Sequence, residues 1–484
     1  ARQSVAERER REGFEASEPQ LWAPPAVISH WQRLRRHDSL RTRIDAQALT
    51  QSLSDQVQVN LEVIDLRALT GEQAQAQLEV RREAYAHALF DLAGPPWNVT
   101  AFQLPQGELV VFVRFDALIL DGRAIATLMV ELFDGHCQPL TASEPTAAVD
   151  DQSEVRKADT EYWKSKLAEV DGAPRLPWRC ALDKVGVARY ARQRQVIPAP
   201  AFKALSRAGA REGLFKNSTI MAVVLEVLGH WLDEGSLCVA VPVAPPQDGA
   251  FANRSSFIAL DWQHKLPTFA ERAKRLQADV LEGLQHLAFS GVDLARLLYD
   301  SNGPGPALPV VLTNGLSWPV GALDGPMTLS AGLTQTPQVA MDIRFCNTAE
   351  GGLAFEIDYA REAVDGRWVG QLLAAFGQAV AQLAGQGAFE VQARQFIDLG
   401  HYRLNSSEAQ AAPVDFLGRI ANNLFGPDSG RIALLHGERR ISYAELGEGV
   451  ARIAQAFKAR GLQPGQVVAI CLPRGPEHSM ATLA

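Results

Sequence analysis

Apolar positions change their period repeatedly along this chain, and the changes predict an alternation of helices and strands. Over 26–40, Val27, Trp31 and Leu34 recur at helical spacing; 57–66 alternates as a strand, and 71–89 reads as a helix. The run LVVFVRFDALIL, 109–120, is the strongest strand signal in the first half, with Val111, Val113 and Phe115 on one face and Arg114 and Asp116 on the other. A helix is expected after Asp121, then a Pro/Ser/Asp-rich break at 139–155 and a second helix at 161–169. Farther on, Ile220, Val223, Val224, Val227, Leu228 and Trp231 form an i, i+3, i+4 stripe, with Asn217 or Ser218 as the expected N-cap. A strand follows at 237–243, and Phe269, Ala273, Leu276, Val280, Leu284 and Leu287 mark a long amphipathic helix. Strands are expected at 309–316, 338–345 and 353–360, followed by a helix at 367–383. Residues 385–425 are rich in Gly, Ala and Gln, and a fresh α/β start comes after them.

Composition narrows the possibilities. A chain of 484 residues corresponds to roughly three compact units. With 47% hydrophobic and 21% charged residues it has the balance of a globular protein. No apolar stretch reaches the roughly 18–20 residues needed to span a bilayer, so no membrane span is expected. The net charge of −8 gives no basic face for phosphate, which argues against nucleic acid as a partner. The five cysteines are odd in number, scattered and never arranged as CxxC, so zinc and disulfide frameworks are not expected and a cytoplasmic setting is. The ten histidines form no HxxxH or HExxH pair, and neither a GxSxG elbow nor a P-loop occurs.

Three constellations could carry chemistry. In DALILD, Asp116 and Asp121 flank a strand-to-helix junction, where the simplest expectation pairs Asp116 with an arginine and makes Asp121 the cap of the next helix. In PVVLTNGL, Thr313, Asn314 and Gly315 bring a hydroxyl, an amide and exposed backbone to the mouth of a buried strand. In LTQTPQVAMD, Pro337 marks a strand start or edge; beyond it Val339, Met341 and Ile343 face one way and Gln338, Ala340 and Asp342 the other.

These motifs, DxxxxD, PVVxT and QTPQVxxD in this order, resemble the heterocyclisation domains of nonribosomal peptide synthetases. RRHDSLR, YWKSKL, GAPRLPW and FSGVDLARLL extend the resemblance over residues 26–385, and ISYAEL with GLQPGQVVAICLPRG resembles the opening of an adenylation domain. The resemblance implies an α/β, two-lobed chloramphenicol-acetyltransferase-like (condensation-superfamily) fold with a tunnel between the lobes. The expected boundaries are 21–175 and 176–385 for the two lobes, 386–427 for a linker, and 428–484 for a truncated adenylation fragment that stops before any phosphate-binding loop. It further implies condensation of a carrier-bound acyl group with carrier-bound Cys, Ser or Thr, then cyclodehydration to a thiazoline or oxazoline. Asp342 is the implied acid/base, Thr313 the orienting hydroxyl and Gln335 a supporting group, with Asp116 and Asp121 as motif residues. No covalently bound cofactor is implied. Upstream and downstream peptidyl carrier domains would present substrates on 4'-phosphopantetheine, with an adenylation domain in cis as the other partner.

The sequence departs from the family in three places. The family's opening segment is not found before Ala26, and the Asn-Arg and Gly-Asp-Phe-Thr region reads VPVAPPQDGAFANRSSFIAL; the adenylation segment stops before any phosphate-binding loop, and where ordinary condensation domains carry HHxxxDG the second His position is Ala117. A condensation-only or carrier-docking domain is therefore the alternative. In the final segment, the stripe Leu446, Val450, Ile453 and Phe457 is expected to need sequence beyond Ala484 to bury it.

Overall fold

A computed structural model describes residues 37–48, 50–54, 61–134, 153–170, 172–232, 235–243, 253, 255–303, 305–318, 331–385, 388–390, 416–463 and 466–484. The expected helix through Val27, Trp31 and Leu34, most of the break at 139–155, half of the divergent 241–260 stretch and the centre of the expected linker lie outside the described residues. The chain divides into two compact units, Ala1–Asp398 and Leu399–Ala484.

In the larger unit, β1 (Thr42–Asp45) and β2 (Thr50–Leu53) form an antiparallel pair. Next come β3 (Leu61–Asp65), α1 (Gly71–His87), β4 (Trp97–Gln103), β5 (Leu109–Phe115), α2 (Gly122–Asp134) and α3 (Glu154–Lys166). β3, β4 and β5 make a three-stranded sheet in that order, with β3 parallel and β5 antiparallel to β4. Then follow β6 (Tyr190–Ile197), α4 (Ala199–Arg211), α5 (Lys216–Trp231), β7 (Cys238–Val243), β8 (Ser256–Asp261), α6 (Phe269–Gly283), α7 (Gly291–Asn302), β9 (Val310–Gly315), β10 (Met341–Asn347), β11 (Leu353–Ala360) and α8 (Gly366–Leu383). Six of these strands form one mixed sheet in the order β6-β11-β10-β9-β7-β8.

Local chemistry sets several boundaries. Thr70 with Gln73 opens α1 by a capping box, as do Thr268 with Glu271 for α6 and Ser290 with Asp293 for α7. α5 starts before the expected cap: its N-cap is Phe215, which makes no side-chain cap bond, and Ser218 is buried inside the helix. Inside α5, Glu226 is buried but paired, because Arg272 of α6 donates to it through Nε at 2.8 Å and Nη2 at 2.9 Å. Breaking such a pair leaves an uncompensated buried charge, at about 3–5 kcal/mol.

Alternation gives the six-stranded sheet two unlike faces. Val310, Leu312, Met341, Ile343, Phe345, Phe355 and Ile357 are buried on one side, where Phe355 meets Phe376 of α8 with ring centroids 5.0 Å apart. Each such side chain contributes about 1.5–3 kcal/mol by leaving water. The opposite side carries Thr313, Asp342, Arg344, Glu356, Asp358, Arg192 and Arg194, as the register of neighbouring strands dictates.

The smaller unit holds α9 (Phe416–Phe425), β12 (Ile432–His436), β13 (Arg439–Ser442), α10 (Tyr443–Ala459) and α11 (Pro476–Leu483). Leu424, Ile441, Leu446 and Val450 form its buried cluster, with Ile420, Leu434, Tyr443 and Met480 packed around them. The front of the expected stripe is thus covered from within the unit, while Ile453 and Phe457 are half-buried. Among the described residues, no helix is long and apolar enough to cross a membrane.

Candidate active site

β9 and β10 run side by side in parallel, and their register sets Thr313 beside the Asp342–Arg344 stretch. Thr313 Oγ1 donates to Asp342 Oδ1 at 2.7 Å, and both residues are 8% exposed. On the other side of β10, the antiparallel register places Asp342 directly opposite Asp358 of β11. Asp358 in turn faces Arg192 of β6, whose Nε and Nη2 each donate to one carboxylate oxygen at 2.6 Å. Two neighbouring acids would repel in a low-dielectric setting; here a two-bond guanidinium clamp neutralises one of them. Arg344 lies on the same face, with Nη2 3.7 Å from Asp342 Oδ2 and 3.8 Å from Asp358 Oδ2.

Burial pushes the Asp342 carboxyl above its ordinary value. The Arg344 guanidinium pulls it back, the Asp358 charge raises it, and the bond from Thr313 and the more distant Arg192 lower it. A carboxyl raised above its ordinary value and held by a hydroxyl keeps its proton to higher pH than an exposed carboxylate, which suits it to give and retake a proton.

The QTPQ segment leads into β10 by a constrained turn. Gln338 adopts the left-handed conformation at φ 66, and Pro337 can donate no bond, so the strand starts at Met341 rather than at 338. Tyr190 Oη lies within bonding distance of the Thr336 and Val339 carbonyls, at 2.9 and 2.8 Å. Thr334 enters the charged face: its amide donates to Asp358 Oδ2 at 2.9 Å, and its Oγ1 accepts from Arg344 Nη2 at 2.6 Å. Gln335 lies apart from Thr313 and Asp342 in bonding terms, since it is exposed and its Nε2 donates to the Ala86 carbonyl of α1. Asn314 points to the opposite side of β9 from Thr313, and its Oδ1 accepts from the Leu316 amide at 3.1 Å.

The DALILDG junction reaches this face through Trp318. A Cβ on Gly122 would lie 2.9 Å from the Trp318 ring, so only glycine permits the approach. The Arg344 guanidinium sits 5.3 Å from the centroid of the same ring. Asp121 Oδ1 accepts from the Ala124 amide at 2.8 Å and caps α2. Asp116 differs from expectation: its Oδ1 accepts from the Leu118 amide at 2.9 Å, and among the described residues no arginine pairs with it. The turn between them is tied to Asn253, whose Nδ2 donates to the Ala117 carbonyl at 2.6 Å and whose amide donates to that of Ile119 at 3.1 Å.

Sequence reasoning passed over Arg192, Arg344, Asp358 and Trp318. β6 reads YARQRQVI, too polar to register as a strand, because it is an edge strand with a charged face. A signal for Asp358 was present: in LAFEIDYA the alternation puts Glu356 and Asp358 together on the side opposite Phe355 and Ile357.

A mixed α/β protein with a buried acid–hydroxyl pair on one sheet face is the class these features define. The condensation-domain family model matches residues 29–305, more than half of the chain, and the chain belongs to that family. A second family model, AMP-binding enzyme, matches residues 426–484. Among curated proteins, the chain is 26% identical over 446 residues to pyochelin synthetase PchE of Pseudomonas aeruginosa, covering 86% of this chain and 30% of that protein. It is 24% identical over 455 residues to phenyloxazoline synthase MbtB of Mycobacterium tuberculosis, covering 87% and 31%. The chain thus spans about a third of the length of these relatives. Among solved structures, the EpoB cyclization-docking bidomain of a nonribosomal peptide synthetase from Sorangium cellulosum superposes with a TM-score of 0.66 at 23% identity, over 75% of this chain and 78% of that one. The nonribosomal peptide synthetase FmoA3 gives a TM-score of 0.64 at 22% identity, over 95% and 50%. These likenesses establish the fold.

Proposed function

We propose that this chain catalyses condensation of a carrier-bound acyl thioester with carrier-bound Cys, Ser or Thr, followed by cyclodehydration to a thiazoline or oxazoline. The observation that carries this reading is the buried Thr313–Asp342 pair, with the Asp342 carboxyl raised above its ordinary value. The names of the relatives point the same way: one is a phenyloxazoline synthase, and one solved neighbour is a cyclization domain.

Amide formation needs little acid–base help. A thioester is a good acceptor, and holding the amine beside it supplies an entropic advantage of several kcal/mol. Ala117 has no imidazole to offer, and Asp116 is bound to backbone, so positioning carries this step. Ring closure is harder. The side-chain sulfur or oxygen adds to the new amide carbonyl, its proton moving to the carbonyl oxygen, to give a cyclic hemiaminal. Protonated Asp342 delivers its proton to the departing hydroxyl, water leaves, and the Asp342 carboxylate takes the ring N–H proton as the C=N bond forms. The acid is regenerated and no redox partner is consumed. Thr313 orients the carboxyl through its 2.7 Å bond. The substrates arrive on the phosphopantetheine arms of upstream and downstream carrier domains, and the AMP-binding match at 426–484 supports an adenylation domain in cis.

The test is a single-turnover mass measurement with carrier-bound Cys, Ser and Thr in parallel. Wild type yields a product one water lighter than the linear dipeptidyl thioester, and Asp342→Asn yields the linear one. Heterocycle formation at the wild-type level in Asp342→Asn sinks the reading; a linear product from the wild type favours condensation alone.

A further inference from the structure

Asp342 is half of a carboxyl pair whose other half has no assigned task. Asp358 is 2% exposed and sits across the β10–β11 ladder from Asp342. It accepts three bonds, two from Arg192 at 2.6 Å and one from the Thr334 amide at 2.9 Å. Burying an acid and an arginine costs desolvation that apolar residues would avoid, so the pair adds little stability for its own sake. What it does provide is a charge and a fixed point beside Asp342.

We propose that Asp358, clamped by Arg192, is a positioning residue for ring closure: its charge assigns the exchangeable proton of the carboxyl pair to Asp342, and its bond to Thr334 holds the QTPQ segment against β10. This rests on Asp342 being the acid/base group. The other groups on this face are Arg344 and Cys346 of β10, Thr313 of β9, Glu356 of β11 and Arg194 of β6. Arg344 is 3.7 Å from both Asp342 and Glu356 and 3.8 Å from Asp358, Arg194 pairs with Glu356 at 3.3 Å, and Arg192 Nη1 also donates to Glu356 at 3.1 Å. Arg344 is thus shared among all three acids, whereas Arg192 gives two of its donors to Asp358 and one to Glu356 and makes no direct bond to Asp342. Removing either member of the Arg192–Asp358 pair therefore changes the field at Asp342 with a definite sign. Loss of the Asp358 charge leaves Arg192 facing Asp342 and favours the carboxylate; loss of Arg192 leaves Asp358 unneutralised and favours the acid.

The experiment compares Asp358→Asn and Arg192→Gln by the pH profile of ring closure and by the infrared band of the protonated carboxyl that Asp342→Asn deletes. The midpoint should move to lower pH in Asp358→Asn and to higher pH in Arg192→Gln, each by about one pH unit or more. The double variant Asp358→Asn/Arg192→Gln, which removes both charges, should return near the wild-type midpoint, and Arg192→Lys should restore it in part. The double variant also answers if the single variants do not fold, since a midpoint far from wild type there overturns the proposal. A purely structural pair would lower stability and rate without moving the midpoints in opposite directions, and that result overturns it as well. If instead Asp342→Asn still closes the ring, the acid/base reading itself has failed, whatever the midpoints show.

Discussion

Asp116 with Asp121 and Asp342 with Asp358 are two aspartate pairs of the larger unit, and they are satisfied in opposite ways. The first pair answers to backbone: Asp116 takes the Leu118 amide and Asp121 the Ala124 amide. Those donors are close in sequence and fixed by the turn and helix they help to form. The second pair answers to side chains from distant strands, with Thr313 on Asp342 and Arg192 on Asp358. A carboxylate held by the amides of its own turn or helix serves the local backbone. A carboxyl held by a hydroxyl, among arginines and a second acid, has its proton set by groups that substitution can alter one at a time. The contrast separates a structural use of aspartate from a chemical one without reference to conservation.

The largest expected effect breaks or sustains that contrast at once. Asp342→Asn should lower ring closure by about a hundredfold or more while leaving condensation near wild type. A second readout follows from linkage. Burial raises the Asp342 carboxyl in the folded state, so the stability it contributes is complete below the unfolded carboxylate range and is lost as pH rises through the folded value. Asn carries no such dependence, so the variant should gain melting temperature relative to wild type as pH rises through that window. Parallel melting curves at all pH values would mean that Asp342 is not perturbed.

Thr313→Val should come next, at about tenfold in ring closure for a lost hydrogen bond to the acid. The Thr313 bond lowers the Asp342 value, so its removal should also move the basic limb of the pH profile to higher pH. A rate loss without that displacement would place Thr313 on the substrate rather than on Asp342.

How far this was legible in sequence differs between the two pairs. The strand through Val111 and Val113, the cap at Asp121, and the opposition of Asp342 to Met341 and Ile343 all follow from periodicity, because local spacing encodes which face a residue takes. The link between Thr313 and Asp342, 29 residues apart, came only through resemblance, since no period connects β9 to β10. Arg192 lies 166 residues from Asp358 on an edge strand whose polar face hides the β period, and so escaped notice. β4 was missed as well, although it is the centre of the three-stranded sheet and its Trp97 and Val99 are fully buried. WNVTAFQ is buried through most of its length and therefore shows no alternation.

Asp121→Ala should cost stability by about 1 kcal/mol, the usual value of a lost N-cap, and lower both reactions together as α2 loosens. Ring closure lost alone at an unchanged melting temperature would move Asp121 to the chemical side of the comparison.

The smallest effect belongs to Asp116→Asn, and it is the sharpest control. Its carboxylate is half-buried and engages the Leu118 amide through one oxygen, and the asparagine side-chain carbonyl can accept that same bond. The geometry is kept and only the charge is removed. Stability should therefore stay within about 0.5 kcal/mol, as for substitutions that disturb no packed or paired group. Both condensation and ring closure should proceed at wild-type rates. If either reaction instead falls by an order of magnitude in a variant that melts normally, the charge at Asp116 is felt by the reacting groups. The strand-to-helix junction would then be part of the chemistry, and the division between backbone-held and side-chain-held acids would have to be drawn elsewhere.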